Sequence, residues 1–193
     1  MSEQKKLVIT GMLIALCVVL PLAFHQVPRA GSILLPMHIP VLLAGLVCGW
    51  RYGLITGITG PLLSHAMTGM PPSMAIASLM SIELGVYGLV AGVLAYFIRT
   101  KSASLDLYIC LIGSMLVGRV VAGIAQIVFF FNPQYVDGIW TSNYTWALWT
   151  GSYFITSLPG IVIQLAFIPS VVMALERERV IPFRYPIKAP ESA

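Results

Sequence analysis

Charge is the scarcest commodity in this sequence. Of 193 residues only 9% are Asp, Glu, Lys or Arg, against roughly 25% in an ordinary soluble domain, too few to cover a water-facing surface of normal area. Also missing are the GxxxxGK[ST] phosphate loop, the GxSxG elbow and the HExxH helix, and with them the signatures of P-loop nucleotide hydrolysis, acyl transfer and zinc-dependent hydrolysis. Cysteine is limited to Cys17, Cys48 and Cys110. Each sits in an apolar run without CxxC spacing, so they read as small membrane hydrophobes, not as ligands or disulfide partners. There is no soluble linker and no low-complexity stretch, so residues 1–193 read as one domain.

What the sequence has in excess is apolar surface: 58% of it is hydrophobic and the mean hydropathy is +0.90. Lipid is the solvent that suits such a chain, and in lipid the backbone must satisfy itself within helices. Six apolar runs are visible: Leu7 to Phe24, Ile39 to Trp50, Gly53 to Met67, Met74 to Ile98, Leu107 to Phe131 and Trp146 to Leu175. The first reads as a retained helix and not as a cleaved leader, because no small-residue cleavage site follows it. The second is short, with Pro36 and Pro40 at its start, and predicts a tilted or incomplete span. Trp50-Arg51-Tyr52 predicts a tight interfacial turn, Thr68 to Pro72 a helix stop, and Asn132 to Tyr144 a polar, aromatic loop. The fold expected is therefore an all-α integral membrane protein, a bundle of six transmembrane helices.

Orientation follows from the basic residues, which favour the cytoplasmic side of short loops. With the N-terminus inside, six crossings put Lys5, Lys6, Arg51, Arg99, Lys101, Arg177, Arg179, Arg184 and Lys188 in the cytoplasm and leave Arg29 outside. The expected topology is N-in/C-in, in a multi-pass cell-membrane protein. The loops rich in Pro, Gly, His, Asn and Trp then face outward, which predicts ligand access from that side.

Two ionisable residues lie deep in the apolar runs. Glu83 and Arg119 would each cost about 2.5–3.5 kcal/mol at the bilayer centre if left alone, and their similar depth permits an ion pair. They read either as a pair fixing helix register or as the polar floor of a ligand cavity. Tyr87, four residues after Glu83, shares its helix face, and Gln126, seven after Arg119, shares the other. For Tyr87 an ordinary packed aromatic is the competing reading. His38 and His65 fall at outer helix ends as interfacial polar residues or ligand contacts. Zinc-like sites need three or four ligands, and none accompany them, so no metal is expected. Trp140, Asn143, Tyr144, Trp146, Trp149 and Tyr153 crowd the start of the last run, as an aromatic belt or as a stacking surface for a flat ring. Gly11 and Ala15 make a small-xxx-small face suited to close helix contact, within this bundle or with a partner.

The segment from Pro36 to Gly57, with Gly60-Pro-Leu-Leu-Ser64, Thr68-Gly-Met-Pro-Pro72 and Glu83-Leu-Gly-Val-Tyr-Gly88, resembles the substrate-binding S component of energy-coupling factor (ECF) vitamin transporters. The resemblance extends to chain length and six-helix layout. It implies capture of a water-soluble vitamin or precursor from outside, then association with a transmembrane coupling subunit and two cytoplasmic ATPases. It also implies a binding protein and not an enzyme, with no cofactor and no nucleic-acid partner. By the same resemblance Gly11 and Ala15 correspond to the coupling contact, with Gly in place of the usual first Ala. Met37, Thr68, Met70, Glu83, Arg119, Gln126, Asn143, Trp146, Trp149 and Tyr153 occupy regions that build the family's ligand site. Met37-His38-Ile39 matches the letters of the metal-binding N-terminus of nickel and cobalt S components. Here it is internal, without a free amine, which favours an organic ligand. Hydroxymethylpyrimidine, a pyridoxine-like ring and pantothenate all remain compatible. A solitary facilitator and a membrane-embedded enzyme using Glu83 with His65 or His38 are the competing classes.

Overall fold

In the computed structural model of the chain, the described residues are 1–24, 30–129, 134–136, 139–141, 150–178 and 181. Helix α1 is Glu3–Ala23, α2 Ala30–Leu34, α3 His38–Cys48, α4 Trp50–Thr68, α5 Met74–Phe97 and α6 Ala103–Phe129. A two-stranded antiparallel hairpin follows, β1 Gln134–Val136 against β2 Ile139–Thr141. A π-helical segment, Gly151–Thr156, then leads into α7, Leu158–Arg177.

Among the described residues, five segments are long and apolar enough to cross a membrane: Glu3–Ala23, Gly31–Cys48, Met74–Phe97, Ala103–Gln126 and Leu158–Arg177. The chain is a multi-pass, predominantly helical membrane protein. Helix α4 has 19 residues but does not reach the same hydropathy, because glycines, hydroxyls and His65 dilute its apolar face. Large side chains such as Leu7, Met12, Val19, Val120, Ile124 and Val162 are exposed on the outside of the bundle, as lipid solvation requires. Several serines and threonines sit within the helices by returning their hydroxyls to the preceding turn: Thr56 donates to the Tyr52 carbonyl at 2.8 Å and Ser81 to that of Ala77 at 2.8 Å.

Glycine explains why α4 packs on α5 more extensively than any other pair. A Cβ on Gly53 would fall on the Gly88 carbonyl, one on Gly88 on the Gly53 carbonyl, and one on Gly57 on that of Leu84. The two backbones touch, which only hydrogen side chains allow. Gly45 brings α3 against the same Gly88 carbonyl. Around this crossing lies the apolar core, with Leu42, Leu46, Leu84, Ala91, Leu107 and Leu111 fully buried.

One end of the bundle collects the starts of α1, α4 and α6 and the ends of α3, α5 and α7. The Tyr52 hydroxyl donates to Glu3 at 2.7 Å, tying α4 to α1, and Ser104 at the start of α6 meets the Met173 sulfur near the end of α7 at 3.7 Å. Lys5, Lys6, Arg51, Arg99, Lys101 and Arg177 lie at this same end.

Several boundaries differ from expectation. Helix α1 starts at Glu3, four residues earlier than the apolar run, because the Ser2 hydroxyl accepts from the Lys5 N–H and caps it. Before the second run, where a loop with Pro28, Arg29 and Gly31 is expected, Gly31 lies in α2 instead; Leu35, at φ 51°, then turns the chain into α3. The turn expected at Trp50-Arg51-Tyr52 is Gly49 alone, at φ 101°, and Trp50 already opens α4. The loop expected from Asn132 contains the hairpin. The sixth run is not one helix. Its π segment ends at Thr156, and Pro159, lacking an N–H, sits in the first turn of α7.

Candidate functional site

The deep polar residues gather where α3, α5, α6 and the start of α7 meet. Glu83 lies nine positions past Met74 on α5, and Arg119 ten before Phe129 on α6. Both are therefore about 15 Å from that end of the bundle at 1.5 Å per residue. Their depths match as expected. The ion pair that this depth permitted does not form: among the described residues Arg119 bonds hydroxyls instead, donating from Nε to Tyr87 at 3.0 Å and from Nη1 to Ser157 at 2.9 Å. Its guanidinium also lies 5.3 Å from the centre of the Phe154 ring, within cation–π range. Tyr87 stands between the two charges and feels both.

Tyr87 is more than a packed aromatic. It is fully buried, and Gly118 on α6 admits its ring, since a Cβ there would press on the ring carbons at 3.1 Å. Its other neighbour is His38, whose ring meets it edge-on with centroids 5.0 Å apart. His38 opens α3 and is 96% buried by side chain; its Nε2 lies 3.8 Å from Glu83 Oε1, beyond hydrogen-bond reach. Neither of its ring nitrogens has a hydrogen-bond partner among the described residues. The arrangement is a buried cluster of imidazole, carboxylate, phenol and guanidinium. Arg119 uses two of its five N–H groups in the bonds just described.

The remaining expected residues divide. Met37 is buried and caps α3, and its carbonyl accepts from the Cys17 thiol at 3.9 Å. His65, Thr68 and Met70 belong to the α4–α5 turn and not to the cluster. His65 Nδ1 donates to the Pro71 carbonyl at 2.6 Å, and Thr68 donates to the Ser64 carbonyl at 2.7 Å while accepting from the Met70 N–H at 3.2 Å. Gln126 is half-buried, two turns above Arg119 on α6. Asn143, Trp146 and Trp149 lie outside the described residues, as does the Tyr153 side chain within the π segment. Gly11 and Ala15 are exposed, and a Cβ on Gly11 would meet nothing within 4 Å. Among the described residues nothing covers Gly11 on that face.

Reading the sequence did not single out Ser157, Phe154, Ser64 or His38's closeness to Glu83. Ser157 and Phe154 carried no signal, since both lie inside the run from Trp146 to Leu175 that reads as one apolar segment. Ser64 is fully buried and its hydroxyl has no hydrogen-bond partner among the described residues. Gln164 was visible in its apolar run; it is buried and donates to the Leu35 carbonyl at 3.4 Å, fastening α7 to the α2–α3 joint. A separate cleft of about 280 Å³ opens at the opposite, basic end, lined in part by Glu3, Lys6, Trp50, Arg51, Tyr52 and Tyr96.

A family model described as ECF transporter, substrate-specific component, matches residues 5–172. No curated protein and no solved structure matches the chain.

Proposed function

The chain belongs to the family of substrate-specific components of ECF transporters, and from that premise we propose that it captures a water-soluble vitamin or vitamin precursor for ATP-driven import. The observation that carries this reading is the buried cluster of His38, Glu83, Tyr87 and Arg119, a costly set of groups to keep inside a membrane bundle without a polar occupant. Pre-bonded by Tyr87 and Ser157, Arg119 is held ready for a carboxylate or carbonyl acceptor. Pantothenate offers a carboxylate; hydroxymethylpyrimidine and pyridoxine-like rings offer ring nitrogens and would use the Trp-rich segment from Trp140 to Tyr153.

In this reading α4 is the sixth crossing, both chain ends lie in the cytoplasm of a prokaryotic cell, and the domain is 1–193. The clustering of basic residues at one end of the bundle supports that orientation. Met37, His65, Thr68, Met70, Gln126, Asn143, Trp146, Trp149 and Tyr153 complete the walls and mouth of the site, while Gly11 and Ala15 meet the membrane coupling subunit that two ATPases drive. The open surface over Gly11 fits a partner helix. Liposome reconstitution tests the proposal. Uptake of the bound ligand should require the coupling subunit, the ATPases and ATP, whereas uptake by the purified chain alone would mean a solitary facilitator.

A further inference from the structure

We propose that His38 and Glu83 together read one hydroxyl or primary amino group of the captured ligand, and so set which ligands this chain accepts; the proposal rests on the capture reading above. His38 is buried with both ring nitrogens lacking a hydrogen-bond partner among the described residues, an arrangement that native interiors seldom leave unfilled. Its ring is held by packing: it forms the first residue of α3 and lies edge-on to Tyr87 with a 66° interplanar angle. Glu83 faces it from α5, with side-chain exposure of 9%.

The spacing defines what fits. At 3.8 Å, His38 Nε2 and Glu83 Oε1 are too far apart to bond each other and too close to admit an atom in line. An atom to the side, about 2.8 Å from each, would make both bonds at an angle of about 85°, slightly tight but within reach of a hydroxyl or amino group. With Glu83 Oε1 as the acceptor, the ligand atom must donate to it. A hydroxyl, its one proton given to Glu83, satisfies His38 Nε2 only when that nitrogen carries the hydrogen, by accepting from Nε2–H. An amino group satisfies it when Nε2 is the acceptor. A methyl group satisfies neither. The ligand class is thus a small, water-soluble molecule carrying a donor hydroxyl or amine at one end and an acceptor for Arg119 beyond it.

The test uses the purified full chain in detergent and titration calorimetry, with pyridoxine, hydroxymethylpyrimidine and pantothenate as probes. Each is compared with analogues in which one hydroxyl or amino group is replaced by hydrogen. A probe that binds should lose at least tenfold in affinity in one such analogue, about 1.4 kcal/mol. Glu83→Gln and, separately, His38→Leu should weaken the parent probe and shrink that discrimination to below about threefold. Analogues that all bind as tightly as their parents would overturn the proposal, and this comparison needs no variant to fold. Undiminished discrimination in both variants would overturn it equally. If none of the three probes binds the wild type at millimolar concentration, the capture reading itself fails and takes this proposal with it; lost discrimination alone leaves capture standing.

Discussion

The hydroxyl of Tyr87 accepts the Nε–H of Arg119 at 3.0 Å, joining α5 to α6 at the depth where Glu83 also lies. A guanidinium in a membrane interior thereby obtains a neutral partner, and its charge stays available to a ligand. Tyr87→Phe should cost about 1.5–3 kcal/mol, the range for a hydrogen bond to a charged group, read as a lower melting temperature in detergent. It should also loosen ligand binding, because Arg119 loses the contact that orients it. An unchanged melting temperature would mean that Arg119 rearranges freely and is not preorganised.

No ion pair joins Glu83 and Arg119, so removing one does not leave the other without a direct counter-charge. The double variant Glu83→Gln/Arg119→Met should therefore not recover the stability lost in the single variants, while Tyr87, which feels both charges, couples the two losses and keeps them from simply adding. Melting measurements on all four proteins check this. Recovery of stability in the double variant would reveal the direct pair that the geometry lacks.

Backbone contact between α4 and α5 predicts a sharp contrast between glycines. Gly88→Ala places a methyl on the Gly53 carbonyl and should destabilise the fold by about 1–3 kcal/mol or more. Gly11→Ala meets nothing within 4 Å and should be neutral or slightly stabilising, since Ala is the better helix former by about 1 kcal/mol. Equal melting temperatures for the two variants would contradict the close crossing.

Much of this was legible in the sequence, for identifiable reasons. Apolar runs gave the spans because a membrane helix must be continuous and apolar, and the cost of Glu83 and Arg119 in lipid marked them as deep and consequential. Helix ends were less legible. The Ser2 cap, the Gly49 turn and the Leu35 joint depend on single backbone conformations that hydropathy does not register. Ser157 was missed as a partner of Arg119 because it lies 38 positions away, and a sequence ranks charge against charge before it ranks charge against hydroxyl. His38 was visible only as a helix-end histidine; its unpartnered state is a property of packing.

Topology gives a direct check on orientation. A cysteine introduced at Gly138, between β1 and β2, should react with an impermeant thiol reagent from outside intact cells, and one at Ser102, before α6, should not. The native Cys17, Cys48 and Cys110 are buried and give little background. The reverse pattern would invert the bundle and move the proposed ligand mouth to the cytoplasm.

Coupling should be separable from capture. Replacing Gly11 and Ala15 together by Leu adds bulk to a surface that this bundle leaves open, so ligand binding by the isolated chain should persist while ATP-driven uptake by the complete transporter is abolished. Retained uptake would show that the coupling subunit docks elsewhere.

The central claim, that the buried cluster around Arg119 holds a vitamin-like ligand, is tested most directly by mass spectrometry of what the purified chain releases on denaturation. Wild-type protein should release one water-soluble organic compound bearing a hydroxyl or amine, at close to one per chain. An equally folded Arg119→Met preparation should release at least tenfold less, about 1.4 kcal/mol of lost binding. The same compound at the same load from both preparations would contradict the account.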